Sequence, residues 1–168
     1  MALFQERLRP DHDLEVFDSG NEQLDQWLRT SALISDRAGT GRTYVWLDDE
    51  GQLIAYFTLA PHLVRRDEVP KRLAHGSPDS IPSVLIARLA LTKALQGKGH
   101  GAVLLVEAIR TALDAMRTAG GRLIVVDAID VLAASFYEHH GFRRIPENPY
   151  RLFQKATDAA KSLGISWP

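Results

Sequence analysis

The segment Gln96-Gly97-Lys98-Gly99-His100-Gly101 sets glycines at alternate positions between two patterned stretches. Before it lies an almost continuous apolar run, Val84 to Leu91, interrupted only by Arg88; after it Leu104, Leu105, Ala108, Ile109, Ala112, Leu113 and Met116 recur at helical spacing. A strand, then close-set glycines, then the first turn of a helix makes an anion site. Glycine lets the backbone turn tightly and approach a ligand with no Cβ in the way. The free amides and the dipole of the helix start then point at negative charge. A diphosphate is the natural guest.

Two phosphate-binding patterns compete for these residues. Gly97, Gly99 and Ala102 fit the dinucleotide fingerprint G-x-G-x-x-G/A, with Asp127 at the end of the next strand as a ribose ligand. Position argues against it, because a doubly wound domain places that unit first with further strand-helix units behind it, and little chain follows Asp127. The triphosphate loop G-x-x-x-x-G-K-[ST] does not occur in the chain. The second pattern is Q/R-x-x-G-x-G/A, matched by Gln96, Gly99 and Gly101.

Other chemistries are excluded by composition. With no cysteine, disulfide frameworks, thiolate zinc sites and thiol nucleophiles are ruled out. The histidines, at 12, 62, 75, 100, 139 and 140, include no H-E-x-x-H pair, so no metal site is expected. The N-terminus meets Glu6 and Arg7 before any apolar run long enough for a secretory signal, and no window reaches the ~20 apolar residues of a membrane span. These features predict a soluble, cytoplasmic protein without a membrane partner.

The elements that must position the glycine segment can be read from periodicity. The 168 residues hold no repeat and no linker, and 45% are hydrophobic, so one domain spanning 1–168 is expected. Leu3 to Leu8 reads as an edge strand. Ser19 or Asn21 caps a helix carrying Leu24, Trp27, Leu28, Ala32 and Leu33 and running to Gly39. Thr43–Leu47 and Leu53–Leu59 form a hairpin across Asp48-Asp49-Glu50-Gly51, with Pro61 ending the second strand. Residues 61–83 read as a loop region with a short helix near Glu68–Ala74. Leu123–Asp127 closes a strand-helix-strand unit, which is normally parallel. A helix from Val131 to His140 stops at Gly141, residues 142–153 supply one or two strands, and the tail is partly helical.

Three pieces arrive in order: Leu85-Ile86-Ala87-Arg88-Leu89-Ala90-Leu91, the Gln96–Gly101 segment, and Ala134-Ser135-Phe136-Tyr137-Glu138-His139-His140-Gly141-Phe142. Together they resemble the GNAT superfamily of acetyl-CoA-dependent N-acetyltransferases. Phe17-Asp18-Ser19-Gly20, Leu24-Asp25-Gln26-Trp27-Leu28, Arg42-Thr43-Tyr44-Val45 and Arg88-Leu89-Ala90 are similar to the acetyltransferase toxins of bacterial toxin-antitoxin operons. The resemblance spans roughly residues 15–153. It implies a mixed α/β fold: a central, mostly antiparallel sheet with one splayed parallel strand pair, flanked by helices.

The resemblance also implies roles. Acetyl-CoA would lie against Leu89, Ala90 and Leu91, with its pyrophosphate on Gln96, Gly97, Lys98, Gly99, His100 and Gly101, and with Asp127 and Phe136 close by. Tyr137 matches the tyrosine that the family uses to protonate the departing thiolate, a task suited to a phenol of pKa ~10. No general base declares itself among Asp127, Glu138, His139 and His140, since adjacent helix residues point different ways. An aminoacyl ester lowers the pKa of its α-amine, so such an acceptor needs no base.

The toxin relatives acetylate aminoacyl-tRNA, which requires a surface for phosphates. Arg37, Arg42, Arg65, Arg66, Lys71, Arg72 and Arg88 are candidates, with Arg143, Arg144 and Arg151 as a second group. Net charge is -1, divided as -5 over residues 1–84 and +4 over 85–168, so any anion surface must be local. Arg88, inside an apolar run, is expected to pair with a carboxylate or face the cleft. The expected reaction is acetyl transfer to the α-amine of aminoacyl-tRNA, with a cognate antitoxin and a homodimeric assembly. The alternatives are transfer to a small amine or a protein amino group, or a noncatalytic nucleotide- or partner-binding module.

Overall fold

The computed structural model describes residues 3–168. Its seven strands form one sheet in the order β1-β2-β3-β4-β5-β7-β6. They are β1 (Phe4–Arg7), β2 (Arg42–Leu47), β3 (Leu53–Arg65), β4 (Ser80–Leu91), β5 (Leu123–Asp127), β6 (Arg143–Ile145) and β7 (Asn148–Lys155). The helices are α1 (Glu22–Thr30), α2 (Ala32–Ala38), α3 (Lys71–Ala74), α4 (His100–Ala119), α5 (Val131–His139) and α6 (Ala156–Ser162). The chain groups into two compact units, one comprising residues up to 60 with 87–105, the other 61–86 with 106–168.

In the first unit, β1 and β3 pair antiparallel with β2. Asn21 caps α1 by accepting from the Leu24 amide, and α1 buries Leu24 and Leu28 in a core shared with Phe17, Val45, Leu53, Tyr56 and Ala90. The Tyr56 hydroxyl donates to the Leu24 carbonyl at 2.7 Å, so the ring that fills this core also fixes the helix. The single helix expected from residue 21 to Gly39 is two. Its apolar stripe continues across the break, but Ser31 leaves helical geometry at φ -128°, ψ -25°, and the chain restarts as α2.

In the second unit, β5 lies parallel to β4 and antiparallel to β7, which pairs with β6. Leu123, Val125, Ile145 and Phe153 meet Val64, Val69, Leu73 and Ile81 in its core. Pro61 does not end β3, which continues to Arg65. The ladder with β2 stops at Arg42↔Leu59, so the continuing strand has an open edge on that side, where proline is tolerated. Both ends of the expected loop region are therefore strand: β4 begins at Ser80, and between the strands lie a 3-10 turn, Arg66–Glu68, and α3.

The parallel ladder runs from Ser83↔Leu123 to Ile86↔Val126 and ends there, while β4 continues to Leu91. A strand that outruns its partner keeps backbone donors and acceptors available to a ligand that adds as a strand would. Among the described residues, no helix is long and apolar enough to cross a membrane.

Candidate active site

The glycine segment has the backbone of an anion cradle. Gly97 and Gly99 have φ +75° and +88°, in the left-handed region, and a Cβ at either would meet nothing within 4 Å. Packing therefore does not require these glycines, but their left-handed backbone does. Residues 96–99 are exposed and α4 starts at His100. Gln96 anchors the turn, since its side-chain amide donates to the Ser19 carbonyl at 2.7 Å and the Leu91 carbonyl at 2.8 Å. Both N–H groups are thereby committed, which makes Gln96 a clamp between the end of β4 and the loop. Lys98 projects from the exposed tip.

These residues fit a CoA diphosphate and pantetheine. The glycine turn carries no acidic side chain and has open space, and Leu89, Ala90 and Leu91 lie on the part of β4 beyond its parallel ladder. Thr92 continues the support, its amide donating to Ile54 at 2.9 Å.

Tyr137 is buried on α5, with its ring edge-on to Phe136 at 5.5 Å and Phe142 at 5.8 Å between centroids. Burial raises its pKa far above that of a free phenol, and the negative charge of Asp127 adds to the rise. Burial thus keeps the phenol protonated. Of the histidine pair, His139 is exposed, while His140 lies on Phe136 at 4.7 Å with its Nδ1 3.1 Å from the Phe136 carbonyl. Burial lowers its pKa, and His139 lowers it further. Neither histidine is aligned as a base.

Asp127 is engaged by Arg151, which faces it across the β5–β7 ladder with bonds of 2.7 and 2.8 Å, one to each carboxylate oxygen. The other side of the guanidinium lies 3.1 Å from His62 Nε2. Burial lowers the His62 pKa and the Arg151 charge lowers it further, against the opposing pull of Asp127 and Glu68; because a guanidinium can only donate, Nε2 is the acceptor. Sequence reasoning placed Arg151 on an RNA surface and missed this cluster. Its members lie 24 and 89 residues apart, and no local signal joins them.

The expected tRNA residues sit in different settings. Arg37 and Arg72 are exposed. Arg42 donates to the Asp36 carbonyl at 2.6 Å, Arg65 pairs with Asp67 at 2.8 Å, and Arg66 donates to the Ser77 carbonyl at 2.6 Å. Arg88 neither pairs with a carboxylate among the described residues nor lies free: its guanidinium sits 3.8 Å above the Trp27 ring centre. Trp27 in turn stacks on Tyr56 at 6.3 Å and 14°.

A family model described as the acetyltransferase (GNAT) domain matches residues 40–144. A tRNA-acetylating toxin of Mycobacterium tuberculosis (strain ATCC 25618 / H37Rv) is 34% identical over 158 residues, covering 94% of this chain and 95% of the relative. The structure of AtaT complexed with acetyl-methionyl-tRNAfMet is similar at TM-score 0.85 and 32% identity, covering 97% of this chain and 98% of that one. AtaT with a tyrosine-to-phenylalanine substitution, bound to the C-terminus of the antitoxin AtaR and acetyl-CoA, is similar at TM-score 0.83 and 29% identity, covering 98% and 99%. Fold, glycine cradle and these likenesses converge: the chain belongs to the GNAT acetyltransferase domain family.

Proposed function

We propose that this protein transfers acetyl from acetyl-CoA to the α-amine of an aminoacyl-tRNA. The observation that carries the reading is the likeness, over nearly the whole chain, to a tRNA-acetylating toxin and to AtaT as solved with acetyl-methionyl-tRNAfMet. The family match draws on residues of both compact units, which supports one acetyltransferase domain.

The cosubstrate supplies an activated acyl group as a thioester. Backbone of Leu89–Leu91 aligns pantetheine, and the amides of Gly97–Gly101 hold the pyrophosphate. The neutral amine attacks the thioester carbon, the N–C bond forms, and the C–S bond breaks. Tyr137 gives its proton to the departing sulfur and regains one from solvent, while the new amide sheds its extra proton to water. Because an aminoacyl ester has a weakly basic amine, a neutral fraction exists near pH 7 without a protein base. Asp127, held by Arg151, and Phe136 complete the surroundings of Tyr137.

Acetylation would remove the charged tRNA from translation, so the protein acts as a cytoplasmic toxin. An antitoxin partner goes with that role, as AtaT is solved with AtaR, and a homodimeric assembly is part of the same proposal. The test is mass spectrometry of a total charged-tRNA pool incubated with acetyl-CoA and the protein. N-acetylaminoacyl-adenosine after nuclease digestion is the expected product and names the amino acid. Unmodified pools, with acetyl-CoA binding verified by calorimetry, would redirect the search to small amines and protein amino groups.

A further inference from the structure

Arg88 is half-buried, yet among the described residues no carboxylate neutralises it and no hydrogen-bond acceptor meets its N–H edge. A guanidinium withdrawn from water without a counter-charge is costly. The buried carboxylate of its own unit, Asp25, is committed elsewhere: it accepts the Ser19 amide at 3.1 Å on both oxygens and the Ser19 hydroxyl at 2.6 Å. What Arg88 has is a platform. Its guanidinium carbon lies 3.8 Å over the Trp27 ring centre, and Trp27 is fixed by its stack on Tyr56, whose hydroxyl is tied to the Leu24 carbonyl. Stacking restrains the plane of the fork and leaves its in-plane donors for a bidentate acceptor, the geometry that suits carboxylate or phosphate.

Its position selects between the two. Arg88 precedes Leu89–Leu91, the part of β4 assigned to the thioester arm, so its ligand belongs to a molecule that brings an amine to that arm. In an aminoacyl-tRNA the α-carboxyl is esterified and uncharged, and the nearest anion to the reacting amine is the phosphodiester of the terminal nucleotide. We propose that Arg88, held flat on Trp27, binds that 3′-terminal phosphodiester and thereby positions the acceptor end. The inference rests on the tRNA reading above. Burial lowers the Arg88 pKa from the ordinary arginine value, consistent with a charge short of a partner.

The test compares charged tRNA with the aminoacyl-adenosine ester of the same amino acid, an acceptor with the same amine but no phosphate. For Arg88→Met, kcat/KM is expected to fall about 30-fold with charged tRNA and about threefold or less with the ester, as loss of one bidentate charged contact requires. Arg88→Lys, which keeps charge but not the fork, should fall between. Binding of deacylated tRNA by Arg88→Met should also lose about one unit from the slope of log Kd against log salt. Equal losses on both acceptors, or an unchanged slope, overturn the proposal and make Arg88 a packing residue for Trp27. If Arg88→Met no longer binds acetyl-CoA, Arg88→Lys and Trp27→Leu decide by the same ratio. A wild-type protein that acetylates the ester but no charged tRNA overturns the tRNA reading and the phosphate assignment with it.

Discussion

Tyr137 is placed by aromatic neighbours, and the role proposed for it rests on that burial. Replacing it with phenylalanine keeps the ring in place and removes the hydroxyl. Tyr137→Phe is expected to leave acetyl-CoA affinity within about twofold while kcat falls roughly 10²- to 10⁴-fold; equal turnover in a thiol-release assay would remove the residue from the mechanism. The sign of its pKa shift gives a second expectation. A donor must be protonated, and burial raises the phenol above its usual value of about 10, so alkaline pH does not disarm it. With an ester acceptor whose amine is already neutral, kcat should stay flat from about pH 8 to 10. A fall across that interval, measured with thiol release corrected for ester hydrolysis, would mean that Tyr137 ionises normally.

At the scale of elements, the glycine turn separates a cradle from a mere connection. Gly99 has φ +88° and open space where a Cβ would go. Gly99→Ala should cost about 1 kcal/mol of stability from the left-handed backbone alone, yet weaken acetyl-CoA about tenfold or more, the equivalent of one well-made contact. Calorimetry that finds stability lost and affinity intact would reduce the segment to a turn. The elements were also the most legible part of the sequence. Leu123–Asp127 is legible to the residue, because its apolar, largely β-branched run starts after Gly120-Gly121-Arg122 and ends on an acid. The α4 stripe and the stop of α5 before Gly141 were equally plain. Proline misled where the ladder partner had already ended, at Pro61, and periodicity misled where a stripe crosses a one-residue break, at Ser31. Local pattern carries no information about either. The same limit hid Asp127–Arg151–His62 and Arg88–Trp27, since contacts made across strands or between helix and sheet leave no local spacing to detect.

The whole molecule has a net charge of -1, and much of its arginine is engaged internally, as at Arg42, Arg65, Arg66 and Arg151. Binding of RNA must therefore come from a few local cations, some released from exposed pairs that contribute little to stability. KM for charged tRNA should rise with salt with a log-log slope of about 2 to 4, well short of the slope near 10 of a protein built around phosphate contacts, while KM for acetyl-CoA moves less. A salt-independent KM for the acceptor would favour a small amine. The stack of Arg88 on Trp27 carries one more consequence. An indole beneath a guanidinium senses the field of that charge, so a ligand that neutralises or shifts Arg88 will change the emission of Trp27. Trp46 is buried, with its indole N–H donating to Gln5, and Trp167 lies by Arg117, so replacing both with phenylalanine would isolate the signal. The protein then contains its own fluorescent gauge of acceptor binding, readable in a stopped-flow mixer with no label on the RNA.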